Sequence, residues 1–173
     1  MFTKKESGGL GKVVKTKEEL IKGLYDLLEE TQINLDEEDL YEASADRYKK
    51  YAKAKKVLNV PAPAAIVYPY TAEEVQKLLV YCNENQINVI PRSGKTATEG
   101  GLENWKELTI VIDAKNLNKI IKIDTYNMQA TVQAGVQLQV LEDELRKLGY
   151  TTGHSPQSKP VAEYGGLVAT RSI

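Results

Sequence analysis

The run P-R-S-G-K-T-A-T-E-G-G at positions 91–101 decides how the rest of the chain is interpreted. Just before it, I-N-V-I at 87–90 is rich in β-branched residues and predicts a short buried strand that ends at Pro91. The run itself is small, polar and glycine-bearing, and such a loop leaves successive backbone N–H groups uncovered. Uncovered N–H groups bind phosphates, and Arg92 and Lys95 add positive charge at the rim of the loop. The run therefore predicts a phosphate-binding loop, with an ordinary connecting turn as the alternative.

Length and composition limit the class of protein. The 173 residues suit one domain, or a small domain with an appended helical segment. A net charge of −1 and a pI near 6.0 disfavour nucleic-acid and membrane-surface binding. The single cysteine allows no internal disulfide and suits a reducing compartment. The start M-F-T-K-K-E lacks the apolar run of a signal peptide, and no segment is apolar enough to span a bilayer, so we expect a soluble cytoplasmic protein.

The first 60 residues predict a helical segment. A capping box that starts at Thr16 begins a helix extending to about Glu30. Acidic residues at 36–39 begin a second helix, which extends toward Lys56. The run V-P-A-P at 60–63 cannot continue a helix. The chain is therefore divided into a helical segment, 1–60, and a second domain, 61–173.

Beyond residue 60 strands and helices alternate. A-I-V-Y at 65–68 predicts a strand, and T-A-E-E at 71–74 begins a helix with an apolar stripe. Cys82 belongs to that stripe, which predicts a core residue rather than a nucleophile. With the strand at 87–90 this makes a β-α-β unit with parallel strands. The predicted phosphate loop then lies at the carboxyl end of a strand, where open α/β sheets bind ligands.

The following residues predict a compact mixed sheet. Strands are expected at 108–112, 120–124 and 128–133, the last two joined by a turn. Leucines at helical spacing then predict a helix that stops at Gly149. Trp105 is interpreted as a packing residue, because tryptophan is usually buried. The carboxylates at strand ends, Asp113 and Asp124, are interpreted as turn caps.

A second glycine-rich segment comprises G-H-S-P-Q-S-K-P at 153–160 and Y-G-G-L-V-A-T-R-S at 164–172. The adjacent glycines allow a close approach of the backbone, and the residues after them can donate hydrogen bonds to phosphate oxygens. The alternative is a loop that only fills space. Two such segments in one domain favour a long phosphate-bearing ligand.

From about Ala64 onward the chain resembles the amino-terminal FAD-binding half of the FAD-linked oxidases, whose fold is shared with vanillyl-alcohol oxidase. The matching pattern is P-x-A-I-V-x-P, N-x-I-x-V-I-P-R-S-G-K-T, G-V-x-L-x-x-L-x-x-x-L and G-H-S-P-Q-S…G-G-L-V-A-T-R-S. Its ending looks most like alkyldihydroxyacetonephosphate synthase and the glycolate oxidase or D-lactate dehydrogenase subunits. The resemblance implies an α+β fold: N-terminal helices, then the first lobe of this FAD-binding domain, with a small mixed sheet flanked by helices.

The resemblance also implies a cofactor site. The loop at 92–97 would bind the FAD pyrophosphate with its backbone N–H groups, and the run from 157 to 163 would contact the ribityl and pyrophosphate portion. Members that bind FAD covalently through this loop have a histidine near position 96, so Thr96 implies non-covalent FAD. His154 is interpreted as a loop residue, and no metal site is expected. The implied cofactor-binding residues are Arg92, Ser93, Gly94, Lys95, Thr96, Ala97, Gln157, Ser158, Glu163, Gly165, Gly166, Thr170, Arg171 and Ser172.

The sequence departs from the family in two ways. Family loops have glycines at the positions of Ser93 and Lys95, so Lys95 either supplies charge to the site or obstructs it. The family's FAD-binding domain also continues with a second lobe and a substrate domain, so we expect an incomplete domain that is inactive alone.

We expect the parent protein to be an FAD-dependent oxidoreductase that oxidises a small 2-hydroxy acid by hydride transfer to flavin N5, with an electron-acceptor partner. No residue of this chain is predicted to be catalytic. Two alternatives remain open: a non-catalytic nucleotide-binding or interaction module, and a flavoenzyme like the ether-lipid synthase.

Overall fold

A computed structural model describes residues 16–47 and 59–172. This part of the chain contains five α-helices and six β-strands, and the strands form a four-stranded and a two-stranded sheet. The predicted α+β class is confirmed.

Helix α1, Lys17–Tyr25, begins at the predicted cap, where the hydroxyl of Thr16 accepts a hydrogen bond of 3.2 Å from a backbone N–H of the first turn. The helix ends before the predicted Glu30. A short 3₁₀ turn follows instead and places Gln32 in the interior, where its amide donates to the carboxylate of Glu74 at 2.8 Å. The chain leaves the helix before Glu30, and the buried Gln32 amide has a hydrogen-bond partner.

Helix α2, Glu37–Glu42, is capped by Asp36, whose carboxylate accepts from two backbone N–H groups of the first turn at 3.0 Å. The prediction that this helix continues unbroken toward Lys56 is wrong, because the chain leaves the helix at Ala43. The predicted portion at 48–58 lies outside the described residues.

The larger sheet has the order β1-β2-β4-β3, in which β2, β4 and β3 are parallel and β1 is antiparallel. Helix α3, Ala72–Asn85, connects β2 to β3, so the predicted parallel β-α-β unit is confirmed. Strand β4 lies between the two strands of that unit. The strands are β1 (Ile33–Asn34), β2 (Ala65–Val67), β3 (Asn88–Arg92) and β4 (Thr109–Asp113).

The predicted strand at 87–90 was expected to end at Pro91. This is wrong, because β3 continues to Arg92. Proline lacks a backbone N–H, but β3 is at the edge of the sheet, where a missing donor is tolerated. Pro91 pairs in register with Ile112, and Arg92 then lies beside Asp113. The extra residue of strand thus brings an arginine and an aspartate together at the carboxyl end of the sheet.

One side of this sheet packs against α1 and α3. Leu20 and Leu24 of α1 share a core with Leu78 and Cys82 of α3 and with the sheet residue Ile110. Burial raises the pKa of the Cys82 thiol to about 12, which confirms Cys82 as a core residue rather than a nucleophile. The chain before residue 60 also supplies β1, so it contributes to the same sheet and core as the rest; the domain boundary near residue 60 stays a prediction.

The strands β5 (Ile120–Asp124) and β6 (Gln129–Val132) form the predicted antiparallel pair. Asp124 caps their turn as predicted, because its carboxylate accepts from the N–H of Asn127 at 3.0 Å. The pair is a separate two-stranded sheet and does not join β4, so the expectation that these strands share one sheet with β4 is wrong; the four-stranded sheet is mixed, as predicted. Strand β4 is instead buried between two parallel neighbours.

Helix α4, Leu138–Lys147, ends with Leu148 as its cap and Gly149 beyond, close to the predicted stop. Trp105 is 62% exposed, so its predicted packing role is wrong. The preceding residue takes the interior position: Asn104 is buried and its amide donates to the backbone carbonyl of Pro61 at 2.9 Å.

Candidate cofactor-binding site

The two glycine-rich segments meet backbone to backbone at Gly94. A Cβ atom at this position would lie 2.4 Å from the carbonyl oxygen of Val161 and 2.9 Å from the backbone nitrogen of Glu163. Both neighbours are main-chain atoms, which cannot rotate away. Only glycine therefore allows the first loop to lie against the second segment, which is distant in sequence.

The second point of contact joins Ser93 and Gly166. A Cβ atom at Gly166 would lie 3.1 Å from the Ser93 hydroxyl oxygen. Ser93 is half-buried, so its hydroxyl lies between the two segments. The structure thus brings Ser93, Gly94 and Glu163 together with Gly166, as the predicted site requires.

Gly165 and Gly166 lie in a short helix, α5 (Tyr164–Ala169), and not in a loop. Glycine is a poor helix former, and nothing else in this stretch predicts a helix. Contacts with another part of the chain fix the segment: the N–H of Gly165 donates to the carbonyl oxygen of Ala134 at 2.7 Å. Tertiary contact thus overrides local preference.

The first loop presents the uncovered N–H groups that the sequence predicted. Within the described part of the chain, the backbone N–H groups of residues 94–97 donate to no acceptor. Lys95 has a φ of 57°, in the left-handed region, and such a residue in a turn turns neighbouring N–H groups toward a common side. The side chain of Lys95 is exposed, as expected of a residue at the rim.

The left-handed backbone at Lys95 gives a testable effect on stability. Lys95→Gly is expected to raise the free energy of unfolding by up to about 1 kcal/mol, since glycine adopts this conformation without a Cβ penalty. Gln86→Gly, at the left-handed cap of α3 and away from the loop, is the matched control and should give a similar gain. Urea denaturation of the three proteins measures both changes. A loss of stability in Lys95→Gly alone would mean that the lysine side chain stabilises the loop.

Arg92 lies in the interior rather than at the rim, so that part of the prediction is wrong. Its Nε atom lies 2.7 Å from a carboxylate oxygen of Asp113, and both side chains are almost fully buried. The other oxygen of Asp113 accepts from the backbone N–H of Lys115 at 2.9 Å, so the predicted capping role of Asp113 is confirmed. The ion pair joins the carboxyl ends of β3 and β4 directly below the loop.

Glu163 has the most perturbed carboxyl group near the loop. Burial and the nearby Asp113 carboxylate raise its pKa to about 7, while Lys95 acts in the opposite direction. Its Oε2 atom is buried and has no hydrogen-bond partner within the described residues. A buried polar atom without a partner, on a residue whose backbone adjoins the loop, indicates a place for a ligand.

Glu142 anchors the start of the second segment. It was not among the residues predicted from the sequence. Its buried carboxylate accepts from the hydroxyls of Thr151 at 2.6 Å and Thr152 at 2.9 Å, and from Arg146 Nε at 3.1 Å. These donors hold the pKa of Glu142 at about 2, with the Thr151 hydroxyl as the main cause. The two adjacent threonines just beyond the helix were the available signal for this contact.

The other predicted cofactor residues lie around this junction. Half-buried Thr96 lies in the loop, and the carbonyl oxygen of Ala97 accepts from the N–H of Arg47 at 3.2 Å. Exposed Gln157 and half-buried Ser158 lie in the turn that leads to the contact with Gly94. Three more lie at the end of α5 and just beyond it, and make no hydrogen bond to the first loop within the described residues: Thr170, Arg171 and Ser172.

A cavity of about 1100 Å³ lies on the other side of the second segment, between the β5–β6 pair, α4 and α5. Gly165 and Ser172 line this cavity, and residues 93–97 do not. His154 also lines it; its backbone N–H donates to the Thr152 hydroxyl at 3.3 Å, and its buried Nε2 atom has no hydrogen-bond partner within the described residues.

The residues at the junction fit a diphosphate. They supply unpaired backbone N–H groups at 94–97, the hydroxyl of Ser93 and the exposed cation of Lys95. The negative charge of Asp113 is partly offset, because Arg92 pairs with it. The donor set is therefore that of an anion site built from backbone N–H groups.

Comparison with known proteins also indicates the FAD cofactor. The family model described as FAD binding domain matches residues 63–173. The uncharacterized FAD-linked oxidoreductase YgcU of Escherichia coli (strain K12) is 47% identical over 154 residues, which are 89% of this chain and 32% of that protein. The mitochondrial D-lactate dehydrogenase [cytochrome] 1 of Saccharomyces cerevisiae is 33% identical over 148 residues, covering 76% of this chain and 25% of that protein.

A solved structure of alkyldihydroxyacetonephosphate synthase has a TM-score of 0.81 and 26% identity, and the match covers 93% of this chain and 33% of that one. The chain spans about a third or less of the length of these relatives. Within the described residues, every helix is too short or too polar to cross a membrane. The matched family and the paired loops agree, and the chain belongs to the FAD binding domain family.

Proposed function

We propose that this chain binds FAD through the junction of its two glycine-rich segments. The contact at Gly94 carries the proposal, because it places the uncovered N–H groups of residues 94–97 against the backbone of residues 161–163. A diphosphate at this junction would receive hydrogen bonds from the loop and charge from Lys95. Ser93 and Gly166 would then form the floor of the site.

The remaining contacts follow from the family resemblance. Residues of the second segment would contact the ribityl and pyrophosphate portion of FAD, and residues at the end of α5 would complete the site. These are Gln157, Ser158, Glu163, Thr170, Arg171 and Ser172. Arg92 would act indirectly, by fixing the end of β3 from which the loop begins.

We infer that FAD is held without a covalent bond. Position 96 is a threonine in this chain, where a covalent attachment through the loop would need a histidine. The one histidine, His154, lies beside the cavity on the other side of the second segment.

The parent protein is proposed to be an oxidoreductase acting on a small 2-hydroxy acid. The name of the D-lactate dehydrogenase relative supports this substrate class. Bound FAD supplies the hydride acceptor for such an oxidation. This chain would bind and orient the cofactor, and the substrate site and the electron-acceptor site would lie elsewhere in the parent. A cytoplasmic location stays a prediction from the sequence.

A second candidate is a parent that resembles alkyldihydroxyacetonephosphate synthase. The TM-score of 0.81 over 93% of the chain favours it. Turnover of a 2-hydroxy acid by the full-length parent, with reduction of the bound flavin, would support the oxidase and count against the synthase. A non-catalytic nucleotide module would instead bind ADP but not FAD.

A titration of the 173-residue chain with FAD, followed by flavin fluorescence, tests the binding proposal. We expect saturable quenching that ADP reverses. Gly94→Ala should weaken binding at least tenfold, because its methyl group meets backbone atoms at 2.4 Å and separates the segments. Gly101→Ala is the matched control in the same loop, since a Cβ there meets nothing within 4 Å.

The outcomes separate the hypotheses. Equal FAD affinity in Gly94→Ala and Gly101→Ala would exclude the junction as the binding site. Absence of binding by a cooperatively folded wild-type chain would refute the proposal that this chain binds FAD. Circular dichroism of each variant establishes that the fold is retained.

A further inference from the structure

Glu163 lies against the loop at the point where the diphosphate would bind. Its backbone nitrogen is 2.9 Å from the position of a Cβ on Gly94, so the residue directly adjoins the uncovered N–H groups. Its side chain is half-buried, and the Oε2 atom is buried without a hydrogen-bond partner among the described residues. The carboxyl group therefore has one oxygen available to a ligand and shielded from bulk water.

Two charged groups act on this carboxyl group, and a third pairs with one of them. The Asp113 carboxylate at the end of β4 opposes its ionisation, and Lys95 of the loop favours it. Arg92 of β3 is committed to Asp113 at 2.7 Å. Lys95 is exposed, and its Nζ atom lies 3.9 Å from Asp113. The surroundings therefore do not hold Glu163 firmly in its charged form.

A diphosphate bound at the loop would further favour the neutral form of Glu163. An ionised Glu163 would place a negative charge beside phosphate oxygens, and the repulsion would be strong in a partly dehydrated site. A neutral carboxyl group carries an O–H donor, which an ionised one lacks. The same side chain therefore opposes the ligand in one protonation state and binds it in the other.

We propose that Glu163 binds the cofactor diphosphate in its neutral form, as a hydrogen-bond donor, so that FAD binding takes up one proton from solution. The inference rests on the proposed FAD site and adds a residue role and a pH dependence to it. Burial raises the pKa of the free carboxyl group to about 7, so both forms are present near neutral pH.

The expected result is an affinity for FAD that falls as the pH rises. The diphosphate bridge of FAD does not itself titrate between about pH 6 and pH 9, so a slope in this range reports the protein. With a pKa of about 7 in the free chain, the dissociation constant should rise roughly twenty-five-fold from pH 6.5 to pH 8.5. Below about pH 6 it should be constant.

Two measurements test the uptake of a proton on FAD binding. Flavin fluorescence gives the dissociation constant at each pH. Titration calorimetry in two buffers of different ionisation enthalpy gives the number of protons taken up, expected to be close to one at pH 8 and close to none at pH 6.

Glu163→Gln is the decisive variant, because its amide donates a hydrogen bond and cannot ionise. It should bind FAD with the same affinity at every pH in the range and without proton uptake. Glu163→Ala should also bind without a pH slope, but several-fold more weakly at pH 6.5. Glu99→Gln removes an exposed carboxylate from the same loop and should keep the wild-type slope.

The outcomes distinguish this inference from the proposed function. Binding by the wild-type chain without a pH slope, or a Glu163→Gln variant that keeps the slope, would overturn the role of Glu163 and leave FAD binding intact. Absence of FAD binding by both proteins at every pH would refute the FAD site itself, and the role of Glu163 with it.

Discussion

Replacing Arg92 with alanine is expected to lower the free energy of unfolding by about 3 to 5 kcal/mol, one of the largest effects of any single change in this chain. The guanidinium lies 2.7 Å from Asp113, and both side chains are more than nine-tenths buried. Without Arg92, the Asp113 carboxylate stays in the interior with a backbone N–H donor but no close cation, because the Lys95 side chain is exposed and its Nζ atom is 3.9 Å away. Urea denaturation at pH 7 measures the loss.

Two variants establish the cause of this loss. Lys95→Ala removes the other cation near Asp113 and should cost less than about 1 kcal/mol, since exposed ion pairs contribute little. The double variant Arg92→Met with Asp113→Leu replaces both charges by apolar groups and should recover most of the stability lost in Arg92→Ala. A double variant no more stable than Arg92→Ala would show that the loss comes from packing and not from the unpaired carboxylate.

The same ion pair bears on cofactor binding. Arg92 lies at the end of β3, and the loop begins at the next residue. Weak FAD binding by Arg92→Ala would therefore follow from a displaced loop, because the buried guanidinium is paired with protein. The double variant is expected to restore binding together with stability, whereas a direct phosphate contact by Arg92 would leave binding impaired.

The elements predicted correctly from the sequence are those that local rules determine. Thr16 caps its helix as predicted, and the second helix begins at the predicted acidic residues, because a cap and the backbone N–H groups that donate to it are adjacent in sequence. The apolar stripe of α3 places Cys82 in the core because helical spacing alone decides which face is buried. The pairing of β5 with β6 follows from a short turn between two alternating segments.

The wrong predictions concern features that depend on contacts between residues far apart in the sequence. Strand β3 passes through Pro91 because it is an edge strand, and the order of strands in a sheet is not visible in the sequence. Arg92 was expected at the rim because its buried partner, Asp113, is 21 residues away. The helix at Gly165 forms against Ala134, and no local preference indicates it.

The candidate site could likewise be predicted only in part from the sequence. Its two segments could be recognised by composition, because small residues and glycines uncover the backbone wherever they occur. Their contact at Gly94 could not, since it depends on how β3 and α4 place the two segments. Glu142 was missed for a similar reason: it lies on a helix with many charged residues, and only its burial separates it from them.

Replacing Glu142 with alanine is expected to lower the free energy of unfolding by about 2 to 4 kcal/mol. The buried carboxylate joins α4 to residues 151–152 by accepting hydrogen bonds of 2.6 Å from Thr151 and of 2.9 and 3.1 Å from Thr152. Glu144→Ala is the matched control on the same helix, because its ion pair with Lys147 is exposed and should contribute less than about 1 kcal/mol. Thermal and urea denaturation compare the two variants.

The pH dependence of stability gives Glu142 an independent test. Its pKa in the folded chain is about 2, below the ordinary value of 4.5, so the folded state binds its proton less readily than the unfolded state. The stability that Glu142 contributes is therefore present above about pH 4.5 and is lost as the pH falls toward 2. Wild type and Glu142→Gln should differ most at pH 7 and converge near pH 2. If the difference between them did not change with pH, the carboxylate would stabilise the fold by shape alone.

The loop that it holds leads directly to the residues facing Gly94, so a charge-dependent loss would also connect the folding of α4 to the formation of the cofactor site.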